Sequence, residues 1–169
     1  EGTFVRLFFG FDISTVAEID ADDWISKHWQ EVTVIRFKKK IYSIVDCAKA
    51  LLKIQKEYGS FVGLLENLEI PRQLHKVSDM DAFWQGFRRL RTELTSVNMP
   101  FYKNTTTLLH LLLTIGYDCI KPDSTIMRVA KDIGIVSSTT GDKNLIKVVQ
   151  TIQRYSITKN VKPAVVDFY

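Results

Sequence analysis

Asp123 and Ser124 stand directly before a short amphipathic run, and their side chains are the best placed in the chain for chemistry. Apolar residues recur there at helical spacing, with Gly134 as the stop signal: Ile126, Met127, Val129, Ala130 and Ile133. Asp123 or Ser124 is therefore the predicted N-cap. A carboxylate held at a helix start can stabilise a developing positive charge or activate a water molecule. A capping role alone is the alternative for Asp123.

The helix predicted just before it, over residues 105–116, is apolar on almost every side, which is typical of a buried helix. Gly116 can end it. Its apolar members are Leu108, Leu109, Leu111, Leu112, Leu113 and Ile115. His110 lies among them, so we expect it to be a core histidine. The candidate carboxylate thus follows the most buried predicted element, and we expect it to face a cleft beside residues 101–105.

Helical spacing accounts for most of the remaining chain. It predicts long helices over 34–58, from Asp79 or Asp81 to Val97, and around 145–155, with shorter helices near Val16, Trp24, 61–68 and Pro163. Residues 32–37 are the best strand candidate, but they run directly into helical spacing. Trp84 lies on an apolar stripe, so we expect a core residue rather than a platform for a stacked base. These patterns predict a single all-α domain, 1–169, of roughly eight helices.

Composition narrows the class of protein. The 169 residues are 46% hydrophobic and 25% charged, which is ordinary for one soluble globular domain. The net charge of +4 permits a nucleic-acid partner without requiring one. Two cysteines, Cys47 and Cys119, are too few for a disulfide scaffold, and no apolar run is long enough to span a membrane. A cytoplasmic location is expected. The chain starts at Glu1 and stops in an apolar run, so we expect truncation at both ends.

Residues 4–61 carry an ordered series of short motifs. They are FVRLFFGFD from Phe4 to Asp12, Val16–Ala17, an I-R-x-x-x-K-I pattern from Ile35 to Ile41, an A-x-A-x-L pattern, and a closing Gly59–Phe61. This series resembles the middle of the DNA-3-methyladenine glycosylases of the constitutive bacterial type, within the helix-hairpin-helix DNA glycosylase superfamily. The resemblance implies an all-α glycosylase fold.

Residues 99–134 carry the second resemblance to that superfamily. MPFYKNTTT, residues 99–107, occupies the place of a hairpin of the form L-P-G-x-G-x-x-T-A. KPDSTIMRVAKDIGI, residues 121–135, is similar to the segment that bears the catalytic aspartate, which implies that role for Asp123. The resemblance also implies a set of DNA contacts: Tyr102, Lys103, Asn104, Thr105, Thr106, Lys121, Ser124 and Arg128.

The departures from the superfamily pattern concern the hairpin and the metal. Phe101 and Lys103 replace the hairpin glycines, which let a backbone approach a phosphate closely. Thr105 occupies the position of the lyase lysine of bifunctional members, so Schiff-base chemistry is not expected. The zinc ligands of the methyladenine glycosylases are missing here, and no metal or other cofactor is predicted.

The resemblance therefore implies a monofunctional DNA N-glycosylase. It would act as a monomer on double-stranded DNA, associate with the nucleoid, and hydrolyse the N-glycosidic bond of an alkylated base. Two alternatives stay open. One is a catalytically inactive glycosylase-fold protein that binds DNA, and the other is a helical protein-interaction module in which Asp123 only caps a helix.

Overall fold

The computed structural model describes residues 2–32 and 37–168, with residues 167 and 168 described by their backbone alone. This part of the chain contains ten α-helices and one 3-10 helix. No strand occurs within these ranges, and the predicted all-α class is confirmed. In chain order the helices are α1 (Gly2–Leu7), the 3-10 helix (Phe9–Phe11), α2 (Ile13–Ala17), α3 (Ala21–His28), α4 (Lys38–Tyr58), α5 (Phe61–Asn67), α6 (Val77–Ser96), α7 (Thr105–Thr114), α8 (Ser124–Asp132), α9 (Asp142–Lys159) and α10 (Pro163–Phe168).

The chain divides into two compact units that alternate along the sequence. The first comprises the residues up to Asn67 together with Glu93–Pro100, and the second comprises Leu68–Thr92 and the residues from Phe101 onward. Helix α6 contributes to both units, since its last turn falls in the first. All the candidate site residues belong to the second unit.

Trp24 lies in the core of the first unit. Its ring stacks on Phe8 with the ring centroids 4.5 Å apart, and its indole Nε1 donates a 3.1 Å hydrogen bond to the backbone oxygen of Leu7. These contacts tie α3 to the end of α1. Helix α4 adds Ile41 and Ala48 to the same core, as its spacing predicts.

Two predictions fall on residues 33–36, which lie outside the described residues. They are the first turn of the helix predicted over 34–58 and most of the strand candidate 32–37. The described part of that helix is α4. Gly59 ends it with a φ of +76°, a conformation that glycine adopts without steric cost.

Helix α6 supplies an aromatic stripe to the second unit. Phe83, Trp84 and Phe87 are each at most 2% exposed, and their rings pack against one another. The prediction that Trp84 is a core residue is confirmed. Gly86 lies on the same helix, where an added Cβ would stand 2.6 Å from Cγ1 of Ile70. A glycine is therefore required for the segment 68–70 to pack this closely on α6.

Two local expectations are wrong. His110 is exposed, because α7 is amphipathic and buries only the face that carries Thr105, Leu108, Leu109 and Leu112. Asp79 is not an N-cap, and neither is the alternative Asp81, because α6 already begins at Val77. The Asp79 carboxylate instead reaches back and accepts hydrogen bonds from the backbone N–H groups that precede the helix, those of residues 75 and 76. None of the helices in the described part of the chain is both long and apolar enough to cross a membrane.

Candidate functional site

Asp123 is the N-cap of α8, as predicted. Its Oδ1 accepts hydrogen bonds from the backbone N–H groups of Thr125 (3.0 Å) and Ile126 (3.1 Å). The residue is half-buried, and within the described part of the chain Oδ2 accepts no hydrogen bond. One oxygen therefore fixes the carboxylate on the helix, and the other remains available to a ligand.

A polar chain through the second unit anchors the loop that leads to Asp123. Trp84 Nε1 donates to Gln153 Oε1 (2.8 Å), and Gln153 Nε2 donates to the backbone oxygen of Asp118 (2.9 Å). The Asp118 carboxylate accepts the backbone N–H of Leu74 at 3.0 Å. Gln153 is 0% exposed, so its bond with Trp84 is shielded from water, and the two bonds made by Asp118 are partly buried. The loop 117–122 is thus held by α6, α9 and the segment before α6.

Phe101, in the predicted hairpin, has the backbone conformation that a glycine would favour. It is the residue predicted to stand at the first glycine position of the hairpin, and its φ is +63°. This left-handed conformation costs a non-glycine residue about 1–2 kcal/mol. Thr107 Oγ1 donates hydrogen bonds to the backbone oxygens of Phe101 and Asn104 and so ties the hairpin to α7. Phe101 itself is 45% exposed.

Thr105 belongs to a polar cluster at the start of α7. The Arg91 guanidinium donates hydrogen bonds to Thr105 Oγ1 (3.0 Å) and to Asp142 Oδ2 (2.7 Å), and Thr105 Oγ1 donates to Asp142 Oδ1 (2.9 Å). Thr105 is only 1% exposed. Its hydroxyl is therefore committed inside the protein, and almost none of the residue is open to solvent.

The other predicted DNA contacts differ in exposure. Four of them are exposed: Lys103, Asn104, Ser124 and Arg128. The other three are half-buried: Tyr102, Thr106 and Lys121. Ser124 and Arg128 are four residues apart on α8, so they project from the same face of that helix.

Helix α9 supports both parts of the candidate site. At its start, Asp142 bonds to Thr105 on α7. Farther along, Val148 packs with Met127 and Ala130 of α8 in one buried cluster. Sequence reasoning missed Asp142 and Arg91, because one follows a polar loop and the other lies off the apolar stripe of α6. An aspartate in the first turn of a helix is a signal for a capping or polar role, but it does not identify a partner 51 residues away.

The Arg91–Asp142 ion pair leads to a prediction about acid stability. The Arg91 guanidinium, and less strongly the Thr105 hydroxyl, hold the pKa of Asp142 below its usual range against the opposing effect of burial. A carboxyl group with a lowered folded-state pKa stabilises the protein above its unfolded pKa, and that contribution is lost as the pH falls through the folded pKa. Asp142→Asn is therefore expected to lower stability at pH 7 by less than about 1 kcal/mol, since the pair is partly exposed.

We expect this stability difference to shrink as the pH falls below about 4, where the unfolded wild-type carboxyl group becomes protonated. Urea unfolding of both proteins from pH 7 down to pH 3 measures it. Asp132→Asn, at an exposed position of α8, is the control and should show no comparable trend. A difference for Asp142→Asn that stays constant over the whole range contradicts the prediction.

Comparison with known protein families identifies the class. The family model described as methyladenine glycosylase matches residues 1–116, which is more than half of the chain. The chain belongs to the methyladenine glycosylase family, a family of DNA repair glycosylases that act on DNA. Comparison with curated proteins and with solved structures gives no match. Within the described residues, no group of three or more His, Cys, Asp or Glu side chains could hold a metal ion, so these residues do not fit a zinc site.

Proposed function

We propose that the protein is a monofunctional DNA N-glycosylase that hydrolyses the bond between an alkylated base and its sugar in duplex DNA, with Asp123 as the catalytic carboxylate. Membership of the methyladenine glycosylase family supports the reaction class. The matched residues, 1–116, end before Asp123. Its role therefore depends on one observation, a half-buried carboxylate whose Oδ1 is fixed at the start of α8 while Oδ2 has no partner among the described residues.

The proposed chemistry follows from the charge that develops on the sugar. The sugar becomes positively charged as the base leaves, and the enzyme must first turn the nucleotide out of the base stack. Through Oδ2, the carboxylate of Asp123 can stabilise that charge or accept a proton from the attacking water. Thr105 offers no amine at the lyase position, which supports hydrolysis rather than a Schiff base.

The proposed grip on DNA uses the hairpin and the beginning of α8. Exposed Lys103 and Asn104, with Tyr102, would contact one backbone phosphate, helped by Thr106 at the positive end of α7. Exposed Ser124 and Arg128, with Lys121, would contact phosphates beside Asp123. We further propose that residues 1–169 function as one domain and as a cytoplasmic monomer, associated with the nucleoid when bound to DNA.

The second candidate function is binding of DNA without catalysis. Phe101 and Lys103 at the hairpin glycine positions favour it, because a bulky side chain limits how closely the backbone can approach a phosphate. Release of the base from alkylated duplex DNA by the purified protein separates the two candidates. A protein that binds duplex DNA in a salt-dependent way but releases no methylated base would be assigned the second function. If the protein does not bind duplex DNA at all, both DNA-related functions are excluded, and a helical protein-interaction module is the interpretation that is left.

Lys103→Glu is expected to weaken binding to duplex DNA about tenfold and to reduce the slope of log affinity against log salt by about 1 to 2. Each phosphate that a lysine neutralises releases condensed counterions, so its loss lowers both affinity and salt dependence. Fluorescence anisotropy of a labelled duplex at several salt concentrations measures both quantities.

Lys159→Glu is the matched control for this experiment. It makes the same change in net charge at the far end of α9, which at 1.5 Å per residue is about 25 Å along the helix from Asp142. We expect only a small loss of affinity for this variant. Equal losses for the two variants would mean that the effect comes from net charge and that the hairpin does not hold the DNA.

A further inference from the structure

A groove of about 800 Å³ lies between α8, α9 and α10 in the second unit. It is lined by side chains of α8, α9 and α10, of residues 133 and 135 after α8, and of the turn between α9 and α10. They are mostly aliphatic: Ile126, Val129, Ile133, Ile152, Val161 and Val165. Neither Asp123 nor a hairpin residue is among the lining residues, so the groove is distinct from the candidate site.

The groove walls expose much of their apolar surface to solvent. Ile133 is 68% exposed, and Val129 and Tyr155 are 50% and 51% exposed. Val161 and Val165 add further exposed aliphatic surface at 41% and 47%. Contiguous exposed apolar surface of this kind marks interaction sites in soluble proteins, whereas single exposed hydrophobic residues need no explanation.

The charges around the groove are mainly positive. Among the described residues of the lining, Lys159 alone is charged. The exposed cations next to lining residues in the sequence are Arg128, Lys131, Lys147, Arg154 and Lys162, and among the described side chains Asp132 is the one acid in a comparable position. An occupant that carries negative charge beside an apolar face would therefore complement both features.

We propose that this groove binds an acidic amphipathic helix of a partner protein. In this binding mode an apolar helix face, with anchors at i, i+3, i+4 and i+7, enters a hydrophobic groove. The volume lies within the range of about 300–1,000 Å³ that is typical of binding pockets. It can hold several aliphatic side chains, while acidic residues on the flanks of the helix reach Lys159 and its cationic neighbours.

Other occupants fit these observations less well. A second copy of the chain would bring two cationic rims together, which opposes association. A lipid surface takes up protruding apolar side chains, whereas this surface is concave. DNA presents phosphates, and they gain nothing from an aliphatic lining. The proposal does not depend on the glycosylase reaction. Ile126 lines the groove and also donates its N–H to Asp123, so the partner would contact the helix that positions the candidate carboxylate.

The test uses the whole chain and synthetic peptides. One labelled peptide of about 18 residues, five helical turns, carries leucine on one face and glutamate on the flanks, and a second carries lysine in place of glutamate. We expect the acidic peptide to bind with a micromolar Kd and the lysine peptide to bind at least about tenfold more weakly. Ile133→Asp should weaken the binding of the acidic peptide at least about tenfold. Lys159→Glu should weaken the binding of the acidic peptide and strengthen the binding of the lysine peptide.

Val62→Asp is the matched control for Ile133→Asp, since Val62 is an equally aliphatic side chain, 50% exposed, on α5. It should leave peptide binding unchanged. Equal binding of the two peptides, or no saturable binding of the acidic one, overturns the proposal. A concentration-dependent dimer that Ile133→Asp abolishes would assign the groove to a second copy instead. Adsorption to anionic vesicles that the same variant abolishes would assign it to a membrane.

Discussion

Asp123→Asn is expected to lower the single-turnover rate of base release from alkylated duplex DNA by about 10²-fold or more, the usual size of a lost general-base or electrostatic contribution. Asparagine is neutral, so it can neither balance the positive charge of the sugar nor take a proton from water. Its side-chain oxygen can still accept the hydrogen bonds that Oδ1 receives from Thr125 and Ile126. The melting temperature and the affinity for duplex DNA should therefore change little.

Asp123→Ala separates the two roles of this side chain. It removes the cap as well as the charge, so it should also lower stability by about 0.5–2 kcal/mol. Asp132→Asn, which alters an exposed aspartate of α8, should leave the rate unchanged. Equal rates for the wild type and Asp123→Asn would leave Asp123 as a helix cap only. A wild-type protein that releases no damaged base would move the assignment to DNA binding without catalysis.

Gln153→Ala is expected to lower stability by about 2–5 kcal/mol, the range for a buried truncation that also leaves polar groups unpaired. The substitution removes both the acceptor of Trp84 Nε1 and the donor to the backbone oxygen of Asp118. Gln153 is 0% exposed, so water does not readily replace either bond. In a chain of this size, each kcal/mol shifts the melting temperature by about 2–4 °C.

Thermal unfolding and urea titration measure this change, with Gln85→Ala as the control at an exposed position of α6. The control should stay within about 0.5 kcal/mol of the wild type. We also expect Gln153→Ala to slow base release at temperatures where it remains folded, because the loop before Asp123 loses an anchor. A loss below 1 kcal/mol would mean that the polar chain through Gln153 relaxes at little cost.

Local patterns predicted the elements of the fold whose causes are local. Helical spacing identified the buried stripe of α6, and the usual capping residues identified Asp123 at the start of α8. Where a local rule competed with tertiary packing, prediction failed. The leucine-rich sequence of α7 predicts a helix that is buried on all sides, yet the packing of this helix leaves His110 exposed.

Contacts between distant residues could not be predicted from such patterns. Trp84 and Gln153 are 69 residues apart, and Arg91 and Asp142 are 51 residues apart. Neither pair has a spacing that a helix or turn would impose, and a glutamine within a helix usually lies on its surface. The candidate carboxylate was therefore found from its helix start, while the residues that anchor its loop became visible only in the structure.

The alternation of the two units along the chain has a consequence for folding on the ribosome. The first unit needs Glu93–Pro100 for completion, although residues up to Asn67 supply the rest of it. The hydrogen bond from Tyr58 to Glu93 (3.3 Å) therefore cannot form until more than thirty further residues have left the exit tunnel. At about 5–20 residues per second this takes roughly 2–7 s. During that interval the nascent first unit lacks its last segment, which carries the buried side chains of Leu94 and Met99.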